Sequence, residues 1–210
     1  MDYIIKAKIG KRRIKAVRPK IVLEVLDRLE QLQRRKRRSW RSRRFLIGFL
    51  FWTGLRASEA ILVRRRDLNI ATRILNAPTL KQRDEIYYVP ISLYHVPDDE
   101  LRFWEQYLAG KREDDYILDI RSRYGVWKAV RESFEVFGYK GIYPHMLRHA
   151  IAILLVQCDV KLNVLQRFLR HTDPKNTAIY YAIGAKDMHP QMEWAKYQLK
   201  QKLLRGELLL

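Results

Sequence analysis

Apolar residues recur at spacings of three and four after Pro19, at Ile21, Val22, Val25, Leu26 and Leu29. This period predicts an amphipathic helix with the proline at its first position. A dense apolar run over residues 45–52 predicts a buried helix that stops at Thr53-Gly54, and a new helix begins near Ala57. Over residues 67–92 the pattern changes. Ile70, Ile74, Ile86, Tyr87, Tyr88, Val89 and Ile91 favour strands, and Pro90 marks an edge strand. A turn around residues 81–84 closes a small antiparallel sheet. Helical pattern returns at residues 97–109, 125–137, 144–158 and 161–170. Thr172-Asp173-Pro174 reads as an N-cap followed by proline, opening a helix through Tyr180 and Tyr181. The expected fold is mainly α with a small antiparallel β-sheet (α+β). The expected organisation is a flexible basic arm at residues 1–18 with a short strand at 3–5, a main domain at 19–185 and an amphipathic tail at 186–210.

Charge narrows the partners. Lys and Arg number 42 against 23 Asp and Glu, a net +19 with a pI near 10.2. A globular chain this basic points to a polyanion, with nucleic acid first and an anionic membrane surface second. No stretch offers the roughly 18 uncharged apolar residues of a membrane span. The N-terminus lacks the apolar core of a signal peptide. These features predict a soluble, cytoplasmic protein. The single cysteine, Cys158, lies in an apolar run and reads as a small core residue; a disulfide framework and a multi-cysteine zinc site are excluded. Three basic stretches are expected against DNA phosphates: Lys11, Arg12 and Arg13; Arg34, Arg35, Lys36, Arg37, Arg38, Arg41, Arg43 and Arg44, read as a loop or helix start; and Arg64, Arg65 and Arg66. Such contacts position a protein on DNA without reading sequence.

Nothing in the chain suggests a phosphate-binding glycine loop or an acidic cluster for two-metal catalysis, so neither metal nor cofactor is expected. Three short segments carry the chemistry. His145 and Arg148 stand three residues apart and share a helix face. Leu169-Arg170-His171 precedes a tight turn, with Tyr180 about two helical turns beyond it. Thr53-Gly54-Leu55-Arg56-Ala57-Ser58-Glu59 places Arg56 at a helix start, with Glu59 as a capping residue.

In this order the segments resemble the catalytic signature of the tyrosine recombinase (phage integrase) family. Residues 53–59 resemble its T-G-L-R-x-x-E stretch, His145 and Arg148 its H-x-x-R, and Leu169-Arg170-His171 with Tyr180 its L-G-H followed by the nucleophile. Lys81 matches a lysine in a β-hairpin between the first two boxes. The sequence departs at Arg170, where the family usually has glycine, and residues 1–44 are too few for the family's N-terminal helical DNA-binding domain.

The resemblance implies a catalytic domain that breaks and rejoins DNA through a 3′-phosphotyrosyl link at Tyr180, without metal or ATP. It implies that Arg56, Arg148 and His171 bind the phosphate, that His145 takes the phenol's proton and that Lys81 protonates the leaving 5′-hydroxyl. Glu59 would support Arg56, and Tyr181 is the rival nucleophile. The implied partner is double-stranded DNA, bound as a homo-oligomer with the tail docking on a neighbour or on its own domain, and with an additional DNA-binding partner in place of the missing domain. Three other readings stay open: type IB topoisomerase-like relaxation, a non-catalytic DNA-binding protein retaining the fold, and a basic RNA-binding or membrane-surface protein.

Overall fold

The computed structural model describes residues 3–9, 12–34, 38–80 and 86–184. Two strands open the chain, β1 (Ile4–Ile9) and β2 (Arg12–Val17), paired antiparallel from Ile4↔Val17 to Ile9↔Arg12. The strand alternation turns Ile14 and Ala16 inward, and Val17 is buried beside them. The Tyr3 hydroxyl donates to the Lys140 carbonyl (3.2 Å) and accepts from the Lys140 amide (3.1 Å). The segment expected as a flexible arm is therefore a hairpin with one face in the core. Its alternating small and β-branched residues favour pairing, and the core rewards it.

Helices α1 (Pro19–Arg34) and α2 (Arg38–Thr53) follow. Val22, Val25, Leu26 and Leu29 form the buried stripe of α1. The basic run supplies the first turns of α2, ahead of its apolar half. A short α3 (Ala57–Ala60) leads to a three-stranded antiparallel sheet, β3 (Leu68–Asn69), β4 (Ile74–Leu80) and β5 (Ile86–Ser92), in the order β3-β4-β5. Pro90 sits on the edge strand β5, as its missing donor requires. Pro78 is tolerated on β4 because β3 pairs only with Ile74 and Leu75. The turn expected at residues 81–84 and the tail lie outside the described residues.

The remaining helices are α4 (Asp98–Leu108), α5 (Arg123–Glu135), α6 (Pro144–Gln157), α7 (Leu162–Leu169) and α8 (Lys175–Gly184). Asp173 Oδ1 accepts from the Lys175 amide at 2.9 Å, the cap read in the sequence. Helix α6 is apolar almost all round. It packs against β2, α1, α2, α5, α7 and α8, which makes it the axis of the domain. Cys158 corrects an expectation: it is exposed, because α6 ends at Gln157 and the chain turns outward there.

A buried ion pair stands inside this apolar frame. Arg44 donates to both oxygens of Glu100, at 2.9 and 2.5 Å, and Trp104 Nε1 donates to Glu100 Oε1 at 2.7 Å. The Arg44 guanidinium also lies 4.7 Å from the Phe103 ring centroid. Arg44 was expected against DNA; this fork is instead consumed inside the domain. Among the described residues, no helix is long and apolar enough to cross a membrane, and no three His, Cys, Asp or Glu side chains group to hold a metal.

Candidate active site

The site begins where α2 stops. Gly54 has φ +60°, and a side chain there would press on the Phe168 ring, so glycine is required. The chain then enters α3, whose capping residue is Glu59. Its Oε2 accepts from the Arg56 amide (2.8 Å) and its Oε1 from Arg56 Nη1 (2.7 Å). Glu59 thus both caps the helix and orients the arginine. Burial alone would raise its carboxyl; the Arg170 charge, the Arg56 amide, and the Arg148 and Arg56 charges outweigh this and hold it below the usual range.

Arg148 joins all three segments. Carried on the buried α6, its side chain is 1% exposed. Nη1 donates to the Gly54 carbonyl at 2.5 Å and Nη2 to the Leu169 carbonyl. One fork therefore ties the turn before Arg56 to the end of α7, and Glu59 Oε2 stands 3.9 Å away. Burial, with the Arg56 and Arg170 charges, lowers Arg148 to about 9, so it remains protonated at neutral pH. Its Nε has no acceptor among the described residues.

Three histidines surround these charges, and all are neutral at pH 7. Burial, then the Arg148 and Arg56 charges, brings His145 to about 4, although its ring keeps an exposed edge. His171 falls to about 3 by burial and then the charges of Arg148, Arg56 and Arg170. Its Nδ1 lies 3.0 Å from Thr177 Oγ1. His149, one turn beyond His145, falls to about 3 through burial, His145 and Arg148. Its ring meets that of His145 edge-on at 4.3 Å between centroids.

Tyr180 on α8 is 2% exposed, and its hydroxyl lies 2.7 Å from His149 Nδ1. Burial pushes the phenol up to about 12 against the pull of Arg148 and Arg56. The tautomer of His149 sets the direction of this hydrogen bond: with the ring proton on Nε2, the phenol donates to Nδ1. Tyr181 is engaged elsewhere, donating to the Val160 carbonyl.

A cleft of about 490 Å³ opens over this cluster, lined by Arg56, Glu59, Thr79, Tyr87, Arg170 and His171 among others. An adjoining concavity of about 540 Å³ shares Arg56 and includes His145, Tyr124 and Trp127. Tyr180 lines neither.

The structure gathers Arg56, Glu59, His145, Arg148, His171 and Tyr180. Lys81 lies outside the described residues, as do Lys11, Arg35, Lys36 and Arg37; Arg12 and Arg13 fall on β2, Arg34 on α1 and Arg38 on α2. Other arginines expected at phosphates are tied into the domain. Arg41 donates to the Gln106 carbonyl (3.0 Å), Arg43 to Glu132 (2.7 Å), Arg64 to the Asp114 carbonyl (2.7 Å) and Arg65 to the Leu68 carbonyl (2.9 Å). Arg66 pairs with Asp114 while half its side chain stays exposed. Sequence reasoning missed His149, Thr177 and the buried role of Arg170. His149 had a signal, since it falls four residues after His145 on the same helix face.

The sequence matches the Phage integrase family over residues 18–186, and the chain belongs to that family. It is 27% identical over 173 residues to the tyrosine recombinase XerA of Pyrococcus furiosus, covering 78% of this chain and 57% of that one. It is 32% identical over 142 residues to the tyrosine recombinase XerD of Neisseria meningitidis serogroup A, covering 64% and 48%. The chain thus spans about half the length of the relatives it matches. Among solved structures, the fold is similar to XerA recombinase (TM-score 0.64, 17% identity, 83% of this chain and 62% of that one). It is equally similar to XerH bound to a palindromic difH substrate after cleavage (TM-score 0.64, 17% identity, 84% and 52%).

Proposed function

We propose that the protein is a site-specific DNA recombinase or integrase that cuts and rejoins strands through a 3′-phosphotyrosyl bond at Tyr180. The observation that carries this reading is the convergence of four segments distant in sequence: Arg56 and Arg148 flank the buried Glu59 carboxylate, their charges act on His171 and Tyr180, and the Tyr180 hydroxyl meets His149. A phosphodiester under attack gains negative charge on its non-bridging oxygens, and preorganised cations in a partly dry site stabilise that charge. Arg56 offers a half-exposed guanidinium at the cleft. Arg148 contributes its fixed charge and an Nε–H that lacks an acceptor. His171 supplies a further hydrogen bond.

In the chemical step the Tyr180 oxygen bonds to phosphorus and the bond to the 5′-oxygen breaks. The phenol's proton passes to His149, which already touches the hydroxyl, and His145 adjoins it as a second acceptor. This differs from the assignment to His145 made on resemblance. The leaving 5′-oxygen takes a proton from Lys81. Attack by a 5′-hydroxyl of another strand reverses the step and joins new partners. The buried Tyr180 ring must turn out of its pocket to reach a phosphate in the cleft.

The partner is double-stranded DNA, and the chains work as a homo-oligomer on it. The place of action is the cytoplasm, at the nucleoid or within a host cell. A nicked duplex that releases its short 5′ fragment traps the covalent complex; a different 5′-hydroxyl strand is then added. A hybrid strand supports recombination. A covalent complex that rejoins only its own strand favours a topoisomerase-like activity, and tight binding without any adduct favours a non-catalytic DNA-binding protein.

A further inference from the structure

The residue between Leu169 and His171 is an arginine in the left-handed region, φ +56° and ψ 40°, where glycine rests without strain. The family signature that this segment resembles has glycine there. The arginine adds a second unfavourable feature: its side chain is 2% exposed although its backbone reaches the surface. A strained, buried cation on a turn needs a compensating interaction. The structure provides one. Arg170 Nη2 donates to Glu59 Oε2 at 2.9 Å, the same oxygen that caps Arg56, and Nη1 donates to the Phe168 carbonyl at 2.8 Å. Its only uncommitted nitrogen among the described residues is Nε.

The charge balance shows what this achieves. Glu59 alone beside Arg56 and Arg148 would leave one uncompensated positive charge. With Arg170, three guanidinium groups face one carboxylate, and 3 − 1 leaves two. The capping carboxylate can hold Arg56 in place without cancelling the charge meant for the phosphate.

We propose that Arg170 is a positioning residue, which anchors and neutralises Glu59 so that Arg56 and Arg148 present their full charge to the scissile phosphate. It acts through Glu59: its side chain, 2% exposed, is spent on Glu59 and the Phe168 carbonyl. The proposal rests on the reading above that this cleft binds a DNA phosphate.

The test compares Arg170→Gly, Arg170→Lys, Glu59→Gln and the Arg170→Gly/Glu59→Gln pair in single-turnover adduct formation on a nicked duplex. Glycine is the residue this turn favours, so the fold, followed by circular dichroism and melting, should be retained. The maximal rate should fall on the order of tenfold to a hundredfold, as for other small misplacements of catalytic groups, with little change in the DNA concentration giving half-saturation. Arg170→Lys should recover part of the loss. The double variant should be no slower than Glu59→Gln, since removing the carboxylate removes the need for its counter-charge. A second readout needs no DNA. NMR titration of the His171 ring should show its pKa rise in Arg170→Gly, because a nearby positive charge is gone. Should the wild type form no adduct, the functional reading fails and the titration alone decides on Arg170. A wild-type rate in Arg170→Gly, losses that multiply independently in the double variant, or an unmoved His171 titration would overturn the proposal.

Discussion

The Tyr180 hydroxyl lies 2.7 Å from His149 Nδ1, and this contact places a neutral base against a phenol whose pKa is pushed up to about 12. At neutral pH the phenol cannot ionise unaided, so a partner that accepts its proton during attack lowers the barrier. His149→Ala is predicted to slow adduct formation about 10²-fold or more, the range of a lost general base. His145→Ala should slow it less. Rapid-quench assays on a nicked duplex give both rates, and a larger effect at His145 would return the base assignment to that residue.

Acid should destabilise the fold in a defined window. His145 sits at about 4 and His149 and His171 at about 3 in the native state, against about 6.5 for an unfolded histidine. Between these values the unfolded chain binds protons that the native chain refuses, so stability falls as pH drops below about 6.5 and the loss continues to about 3 to 4. Above about pH 7 the contribution is complete. Urea midpoints should decline over this interval, and His149→Gln should flatten the decline. Equal midpoints at pH 7 and pH 4.5 would contradict the buried neutral histidines.

Arg148 is a structural tie as well as a charge. Arg148→Met leaves the Gly54 and Leu169 carbonyls without their donor. The expected loss is about 2–4 kcal/mol, from two hydrogen bonds to a charged group offset by relief of burial. Arg148→Lys should fall between the two, since an ammonium keeps the charge but not the planar fork. Chemical denaturation measures both.

Arg44 is spent inside the domain, whereas Arg56 stands at the cleft. Breaking the buried Arg44–Glu100 pair with Glu100→Ala should cost about 3–5 kcal/mol. Arg44→Met should leave the slope of log binding constant against log salt unchanged, whereas Arg56→Ala should reduce it by about 0.9, the release expected for one phosphate contact on duplex DNA. A shallower slope for Arg44→Met would restore that residue to the DNA-facing set.

The helices and the sheet were legible because their periods were clean. The stripe of α1, the apolar run in α2 and the edge proline of β5 each carried their own signal. The hairpin was obscured by its charge: Lys6 faces Lys15 in register, and a short basic segment reads as unstructured until the core partner that covers its other face is known. Cys158 misled for the opposite reason, since an apolar run does not reveal where its helix ends. In the site, the spacing of Arg56, His145, Arg148, His171 and Tyr180 was visible. The roles of His149 and Arg170 were not, because each is defined by a residue distant in sequence, Tyr180 for one and Glu59 for the other. Local sequence also cannot tell an arginine that meets phosphate from one that meets a buried carboxylate, as Arg44 shows.

Tyr180 as the nucleophile is tested by locating the covalent attachment on the protein. Wild type, Tyr180→Phe and Tyr181→Phe are incubated with a nicked duplex in EDTA, and the products are separated on a denaturing gel and digested for mass spectrometry. A protein–DNA adduct is expected in the wild type and in Tyr181→Phe, carried on the peptide containing Tyr180, and none in Tyr180→Phe. An adduct that persists in Tyr180→Phe and is lost in Tyr181→Phe would make Tyr181 the nucleophile instead.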